Sequence, residues 1–165
     1  MSVDHCAFAG HHNHQDCIDQ AMSRARALCR QREQRLTPIR ELVLKLIWQS
    51  HKPLGAYDLL PALAAAGFNS APPTVYRALE FLQELGLVHR LASLNAFIGC
   101  SQPHQEHSSY FFICQICQLA EERSMPSLHQ ALQAQADELG FKILQETVEV
   151  LGICPACRSE HSHHA

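Results

Sequence analysis

The chain has 165 residues, 47% of them hydrophobic, with a formal net charge of -3; that holds one compact domain or two small ones and excludes a chain disordered for want of apolar residues. The charge is uneven: residues 24–92 carry ten Lys/Arg against five Asp/Glu, and the remainder three against eleven, which directs any polyanionic partner to the first half. No run of about 18 apolar residues and no apolar leader core within residues 1–20 is present, so a cytoplasmic protein without membrane partners is expected, and in a reducing compartment its eight cysteines read as metal ligands before disulfides.

Residues 1–19 hold His5, Cys6, His11, His12, His14 and Cys17 with little apolar periodicity and are expected to be a flexible tail. Residues 159–165, with His161, His163 and His164, read the same way. An Arg-rich helix is predicted over about 18–34, with Cys29 a packing residue. Thr37 is placed to cap a second helix, and Pro38 fits its first position, where the missing N–H would lack a partner anyway. Ile39, Leu42, Val43, Leu46 and Ile47 recur at helical spacing, so residues 38–50 form an amphipathic helix, with Trp48 packing. A short helix is predicted over 56–66, ended by Gly67.

After the connection 69–73, residues 74–85 form a helix whose inner stripe is Val75, Ala78, Leu79, Leu82 and Leu85. At about 100° per residue Arg77 lies opposite that stripe and Tyr76 on its flank. Residues 87–91 and 96–99 read as a β-hairpin. Helices followed by a hairpin describe a winged helix-turn-helix, with 74–85 as the recognition helix. Residues 100–108 are polar and read as a hinge. Beyond them come strands near 110–113 and 119–123, a helix over 126–139 and a strand over 141–151. This second unit is small enough to need a metal staple and a partner subunit.

Three constellations carry chemistry. Cys114-x-x-Cys117 and Cys154-x-x-Cys157 can aim four thiolates at one centre, a donor set that suits a closed, structural Zn²⁺ site. Neither pair is expected to open a helix after a strand, which argues against a thioredoxin-like redox pair. A looser group surrounds the hinge: His89, Cys100, His104, His107, Glu121 and Glu122; N, S and O ligands from it in a set of four would suit zinc. The third is the outer face of the helix 74–85, where Thr74, Tyr76 and Arg77, with Arg90 in the wing, form a DNA-reading surface. Arg is the common reader of guanine, while Tyr and Thr hold phosphates or touch thymine methyls. Glu80 and Glu84 on the same helix count against that reading unless they point away from the DNA.

The runs Arg-Leu-Thr-Pro-Ile-Arg (35–40), Ala-Tyr-Asp-Leu-Leu (56–60), Pro-Pro-Thr-Val-Tyr-Arg-Ala-Leu-Glu-Phe-Leu (72–82) and Gly-Leu-Val-His-Arg (86–90), followed by the two Cys-x-x-Cys pairs, resemble the ferric uptake regulator family, and within it the zinc uptake regulators. The resemblance covers about residues 22–158. It implies a homodimeric repressor with metal as corepressor. Tyr76 and Arg77 match the family's DNA-contacting positions, and Cys114, Cys117, Cys154 and Cys157 its structural zinc ligands. His89, Cys100, His107 and Glu122 match the sensing site of the zinc regulators, with Glu122 preferred to Glu121 because it stands five residues after Cys117. The His-His-Asp-His run usual in the iron sensors is replaced by His104-Gln-Glu-His107, and Cys100 adds a soft donor; both favour zinc over iron.

The expectation is therefore an α+β protein. Residues 20–99 are a winged helix-turn-helix domain, 100–108 a hinge and 109–158 a small dimerisation domain with a four-cysteine zinc site. It would bind operator DNA, carry one structural and one regulatory Zn²⁺ per subunit, and act on no small-molecule substrate. An iron- or peroxide-responsive regulator is the nearest rival. A zinc hydrolase, for which no His-Glu-x-x-His motif is present, and a zinc-ribbon interaction module are remoter ones.

Overall fold

The computed structural model describes residues 14–49, 51–102 and 108–161. Helix α1 spans His14–Gln31 and α2 Pro38–Trp48; a 3-10 turn Ala56–Leu59 runs into α3, Leu60–Ala65, and α4 spans Pro72–Glu84. Strands β1 (Val88–Leu91) and β2 (Ala96–Gly99) form an antiparallel hairpin. The second unit holds β3 (Ser109–Cys114), β4 (Ala120–Arg123), α5 (Pro126–Glu138), β5 (Thr147–Gly152) and α6 (Pro155–His161). Its sheet has the order β4-β3-β5, with β3 antiparallel to β4 and parallel to β5. This is the expected α+β, winged-helix architecture. No helix among the described residues is long and apolar enough to cross a membrane.

The first core gathers α1 to α4 and the root of the hairpin around Val43, Leu44, Leu63, Val75, Leu79 and Leu82. The expected stripe of α4 is buried throughout, and Phe81 is buried beside it under the guanidinium of Arg40, 3.4 Å from the ring centroid. In α2 the buried face is wider than the stripe, because Leu44 is fully buried as well. Thr37 precedes α2 in an extended conformation, but its hydroxyl makes no capping bond; Pro38 starts the helix.

Several boundaries move. The expected tail 1–19 overlaps α1, whose Cys17 and Ile18 are buried; His5, Cys6, His11 and His12 lie outside the described residues. The helix stops at Gln31 because Glu33 turns left-handed (φ 53) and Gln34 donates back to the Cys29 carbonyl, a stop made without glycine. At the other end α6 runs to His161, into the stretch read as a second tail, and His163 and His164 lie outside the described residues. The strand expected over 141–151 begins only at Thr147. Gly140 (φ +64) closes α5, and the chain must travel back before it can pair in parallel with β3.

The hairpin does not stand apart. Leu91 and Ile98, with Leu94 against them, pack on Phe111 and Ile113 of β3 and Ala120 of β4 as a second apolar cluster. Around it, the Ala120 amide donates to the His51 carbonyl, and Arg24 donates to the Ser101 carbonyl. The base of β2 is held by Trp48. A Cβ on Gly99 would stand 2.4 Å from the indole, so only glycine lets β2 pass and deliver the next residue, Cys100. Gly99→Ala should cost about 1–3 kcal/mol in denaturant unfolding, the range for overpacking, and Trp48→Leu in the same chain should recover part of it. An unshifted midpoint would mean that the indole does not constrain β2.

Candidate metal centres and the DNA-facing helix

Because β3 and β5 run parallel with Cys114 opposite Gly152, their C-terminal ends lie together and each releases the chain into a Cys-x-x-Cys turn. The Gln115 amide donates to the Gly152 carbonyl and ties the turns to each other, while Gln118, at φ 63, closes the first. The four thiols of Cys114, Cys117, Cys154 and Cys157 lie within 4.8 Å of one another, with Cys117 and Cys154 sulfurs 3.8 Å apart. A zinc–sulfur bond of about 2.3 Å implies a tetrahedral edge of roughly 3.8 Å, so the donor set fits Zn²⁺.

Burial disfavours a thiolate at Cys114, yet the amides of Cys154, Cys117 and Ile116, with the Cys117 thiol, outweigh it and lower its pKa to about 6. Burial and the neighbouring sulfurs push Cys157 up to about 12. The nest of amides thus stabilises one thiolate, and a divalent cation is what lets all four share the site. One expectation is corrected here: Cys154-Pro-Ala-Cys157 does open a helix after a strand, because it follows β5 and its last three residues begin α6. The redox reading fails instead because two further thiols complete the cluster.

The second cluster joins the two units. His89 is on β1, Cys100 follows β2, and Glu122 is on β4; their donor atoms lie within 4.8 Å of one another. His89 Nε2 is 3.0 Å from Glu122 Oε1. The other carboxylate oxygen accepts from the Ser101 amide and hydroxyl, both at 2.9 Å. Cys100 is buried and donates its amide to the Leu87 carbonyl. Burial disfavours a charged His89, but Cys100 and Glu122 outweigh it through hydrogen bonds and charge and raise its pKa to about 9. Imidazole, thiol and carboxylate in one half-dry niche suit Zn²⁺. Glu121 points the other way and pairs with Arg123 at 2.5 Å, so only the second glutamate joins the cluster. His104 and His107 lie outside the described residues.

Two serines join the site without a sequence signal of their own beside the hinge. Ser101 orients Glu122, and the Ser109 hydroxyl is 3.4 Å from His89 Nδ1.

On α4, Tyr76 and Arg77 are exposed opposite the buried stripe, while Thr74 is half-buried in the first turn. Arg90 is exposed in the wing, and its guanidinium donates to Asn95 Oδ1 at 2.8 Å. Glu80 and Glu84 are exposed too, but further along the helix, which leaves its N-terminal two turns without acidic side chains.

The fold and its two donor clusters define a winged-helix protein organised around metal-ligating side chains. Residues 31–151 match the model of the Ferric uptake regulator family, and the chain belongs to that family. It is 37% identical to the zinc uptake regulation protein of Escherichia coli (strain K12) over 139 residues, 84% of this chain and 81% of that protein. Among solved structures it is similar to a zinc uptake regulator complexed with zinc and DNA, with a TM-score of 0.84 at 36% identity, covering 88% of this chain and 97% of that one. It also resembles XcZur, covering 86% and 99% of the two chains at 42% identity in the holo structure and 87% and 99% at 41% in the apo structure. The TM-score is 0.78 with the holo structure and 0.52 with the apo structure, so the chain as a whole superposes better on the holo structure.

The two clusters should separate in metal counting. Cys154→Ser should lose one tightly held zinc and destabilise the second unit. Cys100→Ala should keep that zinc and remain folded, yet lose the weaker equivalent. Metal analysis after dialysis, beside thermal unfolding, reads both. Full metal content in Cys154→Ser would refute the four-thiolate site, and an unaltered second zinc in Cys100→Ala would refute the thiol's place in the other.

Proposed function

We propose that this chain is a zinc-responsive transcriptional repressor of zinc-uptake genes, cytoplasmic and homodimeric, with zinc as its corepressor. The observation that carries the reading is the cluster His89, Cys100 and Glu122, whose donors come from both sides of the seam between wing and sheet. His107 is the proposed fourth donor. The two donor sets support one structural Zn²⁺ on Cys114, Cys117, Cys154 and Cys157 and one regulatory Zn²⁺ per subunit.

When bound in the second cluster, zinc supplies a positive centre that imidazole, thiolate and carboxylate can share without mutual repulsion. His89 would hold β1 to it, Cys100 the end of β2, and Glu122, oriented by Ser101, would hold β4. The wing is thereby fixed on the sheet, and the recognition helices of the dimer stand at the spacing of a palindromic operator. Arg77 and Tyr76 read the major groove, with Thr74 and Arg90 holding the backbone. The partner subunit is accommodated on the outer face of the sheet, where Phe112, Val150 and Ile153 are exposed.

The similarity to zinc uptake regulators supports zinc over the iron- or peroxide-responsive reading, and so does the thiol of Cys100 in a cluster that harder metals would fill with oxygen and nitrogen. The test is duplex binding under buffered zinc or iron, using a sequence that the zinc-loaded protein selects from random DNA. Zinc should activate binding, and Arg77→Ala should weaken it by about 1–3 kcal/mol, the cost of a lost guanine contact. Activation by iron alone, or no sequence-selective binding, would overturn the proposal.

A further inference from the structure

The seam between wing and sheet has a second fastening, away from the donor cluster. Glu149 lies on β5, opposite Phe111 of β3, and its half-buried carboxylate reaches the turn that joins β1 to β2. One oxygen accepts from the Ala92 amide at 2.6 Å and the other from the Ser93 amide at 2.9 Å. Burial would raise its pKa, but the Ser93 hydroxyl and the amides of Ser93 and Ala92 outweigh that and hold it below the ordinary carboxylate range. Between this contact and the cluster of His89, Cys100 and Glu122 lies the apolar patch of Leu91, Ile98, Phe111, Ile113 and Ala120.

We propose that Glu149 is a latch of the zinc response: a positioning residue whose carboxylate clamps the wing turn only when the wing lies on the sheet. The inference rests on the proposed zinc-responsive function and adds a residue that touches neither metal nor DNA. Two amides donating to the two oxygens of one carboxylate fix the turn in position and in orientation. Carboxylate and amides belong to different units, so the bonds form in the closed arrangement and are lost when the wing lifts. The chain as a whole superposes better on a holo relative than on its apo form, with TM-scores of 0.78 and 0.52, and the contact belongs to the arrangement seen here. A bond that exists only in the closed state favours it, and any ligand of the closed state then binds at lower concentration.

Glu149→Gln is close to isosteric but breaks the pair, because its amide nitrogen cannot accept from a backbone N–H. With the duplex selected by the zinc-loaded parent, the parent's binding against buffered free zinc sets the reference curve. Glu149→Gln should require about tenfold more free zinc for half-activation, the scale of one lost charge-assisted hydrogen bond. It should retain the four-thiolate zinc and bind the duplex as tightly as the parent at saturating zinc. Hydrogen exchange gives the second reading: zinc should protect both the Ala92 and Ser93 amides in the parent, and in the variant at least one of the two should lose that protection. An unshifted activation curve would overturn the latch, as would equal destabilisation of apo and zinc-loaded protein with no change in that curve, which is the result for a purely structural cap. A parent that zinc does not activate would instead overturn the proposed function.

Discussion

The structure turns on the seam where the hairpin β1–β2 lies against the sheet of the second unit. If the wing lifted, Phe111 and Ile113 on one side and Leu91 and Ile98 on the other would meet water, at about 1.5–3 kcal/mol for each large side chain fully exposed. The same movement would part His89 from Glu122 and leave a buried carboxylate with one partner fewer. The seam therefore has an apolar middle that favours closure at any metal level and a polar end whose favourable state depends on what neutralises it. That division lets one contact be both cohesive and switchable.

The parallel pairing of β3 and β5 makes the rest possible. It brings the ends of both strands to one edge, where the two Cys-x-x-Cys turns meet, and stiffens a unit too small to hold itself by core alone. On its inner face the same sheet presents Phe111 and Glu149 to the wing; on its outer face Phe112 and Val150 are exposed. The four-thiolate cluster and the interdomain cluster thus share a scaffold but not a role. One closes the sheet upon itself, and the other joins it to the DNA-facing unit.

Most of this fold is written in local periodicity. The stripe of α4, the Pro38 start of α2 and the two Cys-x-x-Cys pairs are each visible within a dozen residues, and each is found where the spacing puts it. Legibility fails where a feature depends on distant partners. Glu33 ends α1 in a left-handed turn that no glycine announces. Cys17 and Ile18 look like tail residues until the rest of the core covers them. The late start of β5 is set by register with β3. In the site, neighbouring Glu121 and Glu122 are told apart in sequence only through spacing after Cys117 in the resembled family; the physical reason, strand alternation sending one to Arg123 and the other to His89, appears only in the fold. Glu149, on a strand otherwise apolar-rich, gives no sign that it will meet a turn 56 residues away.

If zinc acts by holding the wing on the sheet, zinc and DNA must favour the same arrangement, and each must tighten the other by one common factor. The direct measurement is the affinity of the second, weaker zinc by competition with a chelator, with and without saturating duplex, in protein whose four-thiolate site stays filled. The account predicts that DNA tightens this zinc by the same factor by which zinc tightens DNA; a factor of 100 corresponds to about 2.7 kcal/mol of coupling. A zinc affinity indifferent to DNA, while zinc still changed DNA binding, would mean that the activating metal sits elsewhere and would contradict the account.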